Sequence, residues 1–172
     1  MNKIEISPKE GLLTLPGFPV ILVCIGNNIL TVAAFSFFSF DPPMVMVGIV
    51  PKRYSFSLMK DRKSKDFSVN IPSENQLEYV KFCGSKSGRT IDKFKETGLT
   101  PQKASQITSS LIKECPVSLE CDVVHTIQLE NTSHVWFVGK IVKAHKREDY
   151  DRMQPMLYWP REYRKIGEVI KE

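Results

Sequence analysis

The chain has 172 residues, 42% of them apolar and 25% charged, the balance of an ordinary globular protein with room for a sizeable core. Its net charge of +5 favours anionic partners, yet cations alternate with acids in stretches such as "KREDYDR", which excludes a long basic stripe for nucleic acid. No apolar run reaches the roughly 20 residues of a membrane span, and "MNKIEISPKEG" lacks the apolar centre of a signal peptide, so a cytoplasmic protein of one domain over residues 1–172 is expected.

In chain order, "PVILVCI" and "ILTVAAFSF" flank "GNN" and predict a strand–turn–strand unit. After a double proline, "PMVMVGIV" is apolar at every position, as in a strand covered on both faces. "SFSLMKDRK" predicts a short helix with Ser55 as its N-cap. "DFSVNIP" alternates, with Phe67, Val69 and Ile71 on one side. Ser73 and Gln76 form a capping box ahead of "LEYVKFC", and "RTIDKFKETG" predicts another helix that stops at Gly98. The polar stretch from Lys103 to Ser110 reads as a mobile loop.

"CPVSLECDVVHTIQLE" alternates over a long span, with Val117, Leu119, Val123, Ile127 and Leu129 on its apolar face. Cys115, Cys121 and His125 fall on that same face, which favours buried thiols over a zinc set. The other two cysteines, Cys24 and Cys83, complete no CxxC pair, so no metal is expected. "HVWFVGKIVKAHK" is apolar on both faces for much of its length. These strands and short helices predict a mainly β fold, a β-barrel. The tail from 150 to 172, with "YWPREY" within it, would cap the barrel or cross to a second subunit.

No nucleophile elbow, HExxH helix or Walker loop is present, so an enzyme built on this chain would rely on a bound cofactor. Two stretches read as anion seats. Lys52 and Arg53 end a buried strand just before a helix, and "GSKSGRT" sets glycines, hydroxyls, a lysine and an arginine ahead of another. Each pattern also serves ordinary turns. Between them, Ala33 and Ala34 allow close backbone approach, and Ser36 and Ser39 could bond the edge of a flat heterocycle. The bland reading of Phe35, Phe37, Phe38 and Phe40 is core. A nucleic-acid barrel would need stacking aromatics exposed in a cationic groove, and these aromatics read as buried.

The run from "NILTVAAFSFFSF" through "VPKRYS", with "CGSKSGRTIDKF", "CPVSLECDVV", "SHVWFVGKI" and "PMLYWPREYRKIG", resembles the flavin reductase-like, FMN-binding split-barrel family over about residues 17 to 168. That resemblance implies a homodimer that binds FMN near its interface. By motif, Thr31, Ala33, Ala34, Phe35 and Ser36 would follow the flavin ring and ribityl chain. Lys52, Arg53 and Ser55 would hold the phosphate, assisted by Lys86, Ser87 and Lys93. His134 would stand where the nicotinamide of NADH or NADPH docks, and Tyr158 and Tyr163 would close the pocket. Such a protein is a flavin or ferric reductase that passes electrons from NADH or NADPH through bound FMN to a small acceptor or, alternatively, a flavoredoxin-like carrier that accepts them from a redox protein partner without using a nicotinamide.

Overall fold

The fold is that of a computed structural model describing residues 3–61, 65–152 and 154–167. A short helix, α1 (Pro8–Leu13), is capped by Ser7, whose Oγ accepts from the Glu10 N–H. The strands β1 (Phe18–Pro19), β2 (Ile21–Ile25) and β3 (Asn28–Val32) follow, with Gly26 at φ 59° turning β2 into β3. Next come β4 (Phe35–Ser39), β5 (Met44–Ile49), α2 (Tyr54–Asp61) and β6 (Asp66–Ile71). A single 3₁₀ turn at Glu74–Gln76 leads into α3 (Leu77–Ser85), and α4 (Lys93–Thr97) ends at Gly98 with φ 72°, the left-handed stop expected of that glycine. The chain continues with β7 (Pro101–Gln102), β8 (Leu111–Ile112), the long β9 (Val117–Ile127) and β10 (Val135–Lys146), then β11 (Met156–Tyr158) and β12 (Tyr163–Lys165).

Seven strands form one antiparallel sheet in the order β3-β2-β6-β9-β10-β5-β4. Its curl encloses one core cluster, built from Ile21, Val23, Ile25, Leu30, Val47, Phe67, Val69 and Phe137 among others. A second cluster lies on the outer face of β2 and β3, where Leu22, Cys24 and Ile29 meet Val80 and Cys83 of α3 and Phe94 of α4. This two-sided covering explains why every residue of β2 is apolar and buried. At Gly139 of β10 the Phe67 ring lies almost on the backbone, so close that an added Cβ would stand 2.5 Å from it.

Several expectations need correction. The outward face of β6 carries Asp66, Ser68 and Asn70, all fully buried, so that strand is covered on both sides. Glu120 of β9 is fully buried too. These groups hold the stretch predicted to be mobile. Glu120 accepts from the Ser105 N–H at 3.0 Å, the Gln106 N–H at 2.6 Å and the Ser105 hydroxyl at 3.0 Å, while His145 Nε2 lies 2.7 Å away. Asp66 accepts from the Thr108 and Ser109 N–H groups at 3.1 and 2.9 Å. Burial pushes the Glu120 carboxyl up, but its hydrogen bonds to Ser105, His145 and Gln106 prevail and hold it at about 2.

The far half of β9 also departs from its apolar pattern. β6 pairs with β9 only from Val117 to Asp122, so beyond that point one flank is uncovered and His125 and Leu129 lie exposed. Cys115 and Cys121 are buried thiols, as expected. Phe37, Phe38 and Phe40 are exposed rather than core, because β4 is an edge strand with a register shift between Phe37 and Ser39. The Phe37 and Phe40 rings stack on each other at 4.8 Å.

Candidate functional site

β5 runs out at Ile49, and a tight turn, Arg53 N–H to Val50 O at 2.9 Å, delivers Lys52 and Arg53 to the start of α2. Across from it, the loop after α3 carries Lys86, Ser87 and Gly88. The two predicted anion seats therefore form one cleft of about 330 Å³, whose lining includes Lys52, Arg53, Ser55, Lys86, Ser87 and Lys93. Four of those side chains are cations, and no carboxylate lines the cleft among the described residues. The field of such a cleft is positive, and the N-terminal N–H groups of α2 add to it.

Lys93 is 97% buried, and its ammonium donates to Ile29 O at 2.7 Å and Cys83 O at 2.6 Å. Burial holds its pKa below the usual lysine range. Neutral carbonyls hold this cation without cancelling it. Beside it, burial pushes the Cys83 thiol up to about 11, with Lys93 pulling the other way. Ser55 lies inside α2 rather than at its N-cap, since the helix already begins at Tyr54. Its side chain is buried and its Oγ accepts from Asn28 Nδ2 at 2.9 Å, which leaves the hydroxyl proton free to donate. Arg53 reaches back to Gly84 O at 3.5 Å, a contact loose enough for the guanidinium to turn onto a ligand.

The remaining expected residues are distributed differently. Thr31 donates to Val80 O at 2.6 Å and so fastens β3 to α3. Ala33 and Ala34 form the bend between β3 and β4, where Gly48 N–H donates to Ala34 O at 2.7 Å and a Cβ added at Gly48 would stand 3.0 Å from that of Ala34. Phe35, Ser36 and Ser39 follow on β4, beside β5. His134 precedes β10, whose register against β5 pairs Val135 with Ile49; one step further on, His134 stands beside the strand end that leads to Lys52. Its Nδ1 is 2.8 Å from Ser133 Oγ, and partial burial lowers its pKa. Tyr158 and Tyr163 are not brought to the cleft. Their rings pack 4.7 Å apart in the small sheet β1-β11-β12, against the second core cluster.

Sequence reasoning missed Leu30, Tyr54, Cys83 and Gly88 in the lining. Tyr54 and Gly88 lay inside the quoted motifs, but neither carries a charge to attract notice. Gly88 passes directly over Asn28 Oδ1, a shielded atom with no hydrogen-bond partner among the described residues, and a Cβ there would collide with it. The exposed phenylalanines of β4 do not line the cationic cleft, so a stacking groove for nucleic acid is not assembled there. No group of three or more metal-ligating side chains is gathered among the described residues, and no described helix is long and apolar enough to cross a membrane.

A family profile described as a flavin reductase like domain matches residues 14–167. The chain belongs to that family. Among its relatives is an uncharacterised protein of Pyrococcus abyssi, 33% identical over 131 residues that make up 76% of this chain and 73% of that one. The NADH-dependent flavin reductase StyB of Pseudomonas fluorescens is 28% identical over 78% of this chain and 71% of its own. A flavoredoxin from Methanosarcina acetivorans superposes with a TM-score of 0.85 at 26% identity, over 100% of this chain and 95% of that structure. The curled seven-stranded sheet of this flavin reductase-like domain is accordingly a split barrel.

Proposed function

We propose that this flavin reductase-like domain, spanning residues 1–172, holds FMN and passes electrons from NADH or NADPH to a small acceptor. The observation that carries this reading is the carboxylate-free cleft lined by Lys52, Arg53, Lys86 and Lys93, which suits the nearly dianionic phosphate of a flavin mononucleotide. When bound, the flavin would supply the hydride- and electron-accepting chemistry that no side chain here offers. The chain's own part is positioning. Arg53 and Lys52 neutralise the phosphate, Ser55 donates its hydroxyl to it, and Lys93 fixes a charge behind it.

From that corner, the bend at Ala33 and Ala34 gives close backbone approach for the flavin ring, with Thr31, Phe35, Ser36 and Ser39 beside it. His134 stands beside the β5 strand end, where a nicotinamide would approach. Ser87 supports the phosphate through its loop. Tyr158 and Tyr163 lie away from the cleft of their own chain, so closing a pocket with them calls for a second copy, and we read the protein as a cytoplasmic homodimer.

A second reading has its own support in the flavoredoxin superposition, which covers the whole chain. On that reading the protein is an electron carrier, reduced by a protein partner and not by a nicotinamide. Anaerobic addition of NADH or NADPH to the FMN-loaded protein separates the two. Bleaching of the flavin absorbance within seconds supports the reductase, and an unchanged spectrum that responds only to a redox protein supports the carrier. Failure to bind FMN at all would remove both.

A further inference from the structure

Asn28 opens β3 and turns its amide towards α2, where Nδ2 donates to Ser55 Oγ at 2.9 Å. We propose that Asn28 is a positioning residue for the phosphate seat: it holds the Ser55 hydroxyl as a donor, so that the seat takes the dianion of a phosphate monoester and discriminates against its singly protonated form. The inference rests on the flavin reading of the cleft and adds to it the charge state selected and the residue that selects it.

The hydrogen-bond inventory of Ser55 carries the argument. A hydroxyl has one proton and two lone pairs. Ser55 is only 2% exposed; its Oγ receives the Asn28 N–H, and its own proton meets no acceptor among the described residues. Ser57, in the same helix, shows the ordinary outlet, donating to Tyr54 O at 2.8 Å. Ser55 has no such outlet, and a buried donor left unpaired is unfavourable. Its side chain lines the cleft, where a phosphate oxygen would complete the bond.

Two features keep the Asn28 amide from turning over. Gly88 passes so close to Oδ1 that a Cβ there would collide with it, and that oxygen has no partner among the described residues. The reversed amide would set N–H groups under the same backbone, and a shielded N–H without an acceptor is rarer than a shielded oxygen. The stem is fixed as well. In the turn before Asn28, Gly26 N–H donates to Ser109 Oγ at 2.9 Å, Ser110 N–H donates to Gly26 O at 3.0 Å, and Ser110 Oγ donates to Asn27 Oδ1 at 2.6 Å. The turn is thereby tied to the loop that Asp66 holds, and a group so supported keeps its direction when a ligand arrives.

The groups around the seat agree with this charge state. Lys52 and Arg53 before α2, Lys86 after α3 and Lys93 in α4 offer only donors while charged. Ser87 Oγ already accepts from the Arg89 N–H at 3.3 Å, Arg89 itself lies over the Tyr54 ring, and Cys83 is a neutral thiol. Asp92 caps α4, accepting from the Lys95 N–H at 3.2 Å, and does not line the cleft. On acidification, a proton gained by Lys93 or Asp92 strengthens the pull on an anion. A fall in affinity from pH 7 to pH 5 therefore has the sign of the phosphate's own titration, whose second pKa is about 6.

Fluorescence titration of flavin-free protein with FMN at pH 5, 6 and 7 tests the proposal. The unaltered protein should lose about tenfold in affinity between pH 7 and pH 5, following the dianion fraction. In Asn28→Asp the carboxylate accepts the Ser55 proton and leaves the hydroxyl's lone pairs facing the ligand. That variant should bind about tenfold more weakly at pH 7, with most of the difference gone at pH 5. Asn28→Ala should cost about fivefold alone and less than about 1.5-fold in a Ser55→Ala background, because Asn28 acts through Ser55. The Asn28→Ala cycle decides the matter alone if Asn28→Asp shows no cooperative melting. An Asn28→Ala loss that is the same with and without Ser55 would overturn the proposal while the FMN reading stands, and so would an FMN affinity that ignores pH. Failure of the unaltered protein to bind FMN at any of these pH values would sink the flavin reading and the proposal with it.

Discussion

The buried Glu120 offers a quantitative test of how this barrel is held together. Replacing it by Gln keeps the shape but puts an amide donor among donors: the N–H groups of Ser105 and Gln106, the Ser105 hydroxyl and the His145 ring. Losing two charge-assisted hydrogen bonds at roughly 1.5–3 kcal/mol each suggests a cost of about 3–6 kcal/mol. Linkage gives a figure of the same order. Holding a carboxyl at about 2 rather than 4.5 corresponds to roughly 3 kcal/mol at neutral pH. Because the folded-state pKa is the lower one, that stability is fully present above pH 4.5 and lost as pH falls towards 2. Urea unfolding of Glu120→Gln at pH 7 should therefore show a loss of about 3 kcal/mol, a difference that shrinks as both proteins are brought to pH 3. A loss below about 1 kcal/mol at pH 7, or a difference that ignores pH, would refute the assignment of Glu120 as the latch of the 105–106 loop.

Arg53→Ala should weaken FMN binding by about 1–3 kcal/mol, read by fluorescence titration, and unchanged affinity would remove that residue from the phosphate site. Gly139→Ala places a Cβ 2.5 Å from Phe67 and 3.0 Å from Cys121, and the overpacking should cost about 1–3 kcal/mol, visible as a lowered melting temperature. The four thiols are buried, so a thiol reagent at pH 8 should label them only after denaturation. Burial raises Cys24 to about 12 and Cys83 to about 11 from the usual 9.0, so their contribution holds below pH 9 and is lost as pH rises through that window, seen as a falling urea midpoint.

Much of this molecule was legible before folding was considered. The unbroken apolar run of β5 announces two-sided burial because a strand alternates its side chains, and only a strand with cover on both faces can be apolar throughout. The cations at 52, 53 and 86 were equally plain, and the fold brings them together because β5 and α3 end on the same rim. The polar face of β6 was not legible. Asp66, Ser68 and Asn70 look like a solvated edge in any periodicity count, and only tertiary structure reveals their partners about 40 residues away, where Asp66 and Asn70 accept from backbone N–H groups and Ser68 donates to the Ser110 carbonyl. Asn70 illustrates the point: its oxygen accepts from the Ile112 N–H and the Ser118 hydroxyl, so a polar residue does core work. The β4 phenylalanines misled in the opposite direction, because aromatic content predicts burial without saying whether the strand sits at an edge.

The ammonium of Lys93 is gripped by two peptide oxygens and shielded from solvent, whereas Lys52 stands in water. Mobile ions in the buffer can surround the outer lysine and blunt its pull, but they have no access to the inner one. Raising ionic strength should therefore slow the arrival of an anionic guest far more than it hastens departure, leaving a grip that persists in brine after long-range attraction has faded.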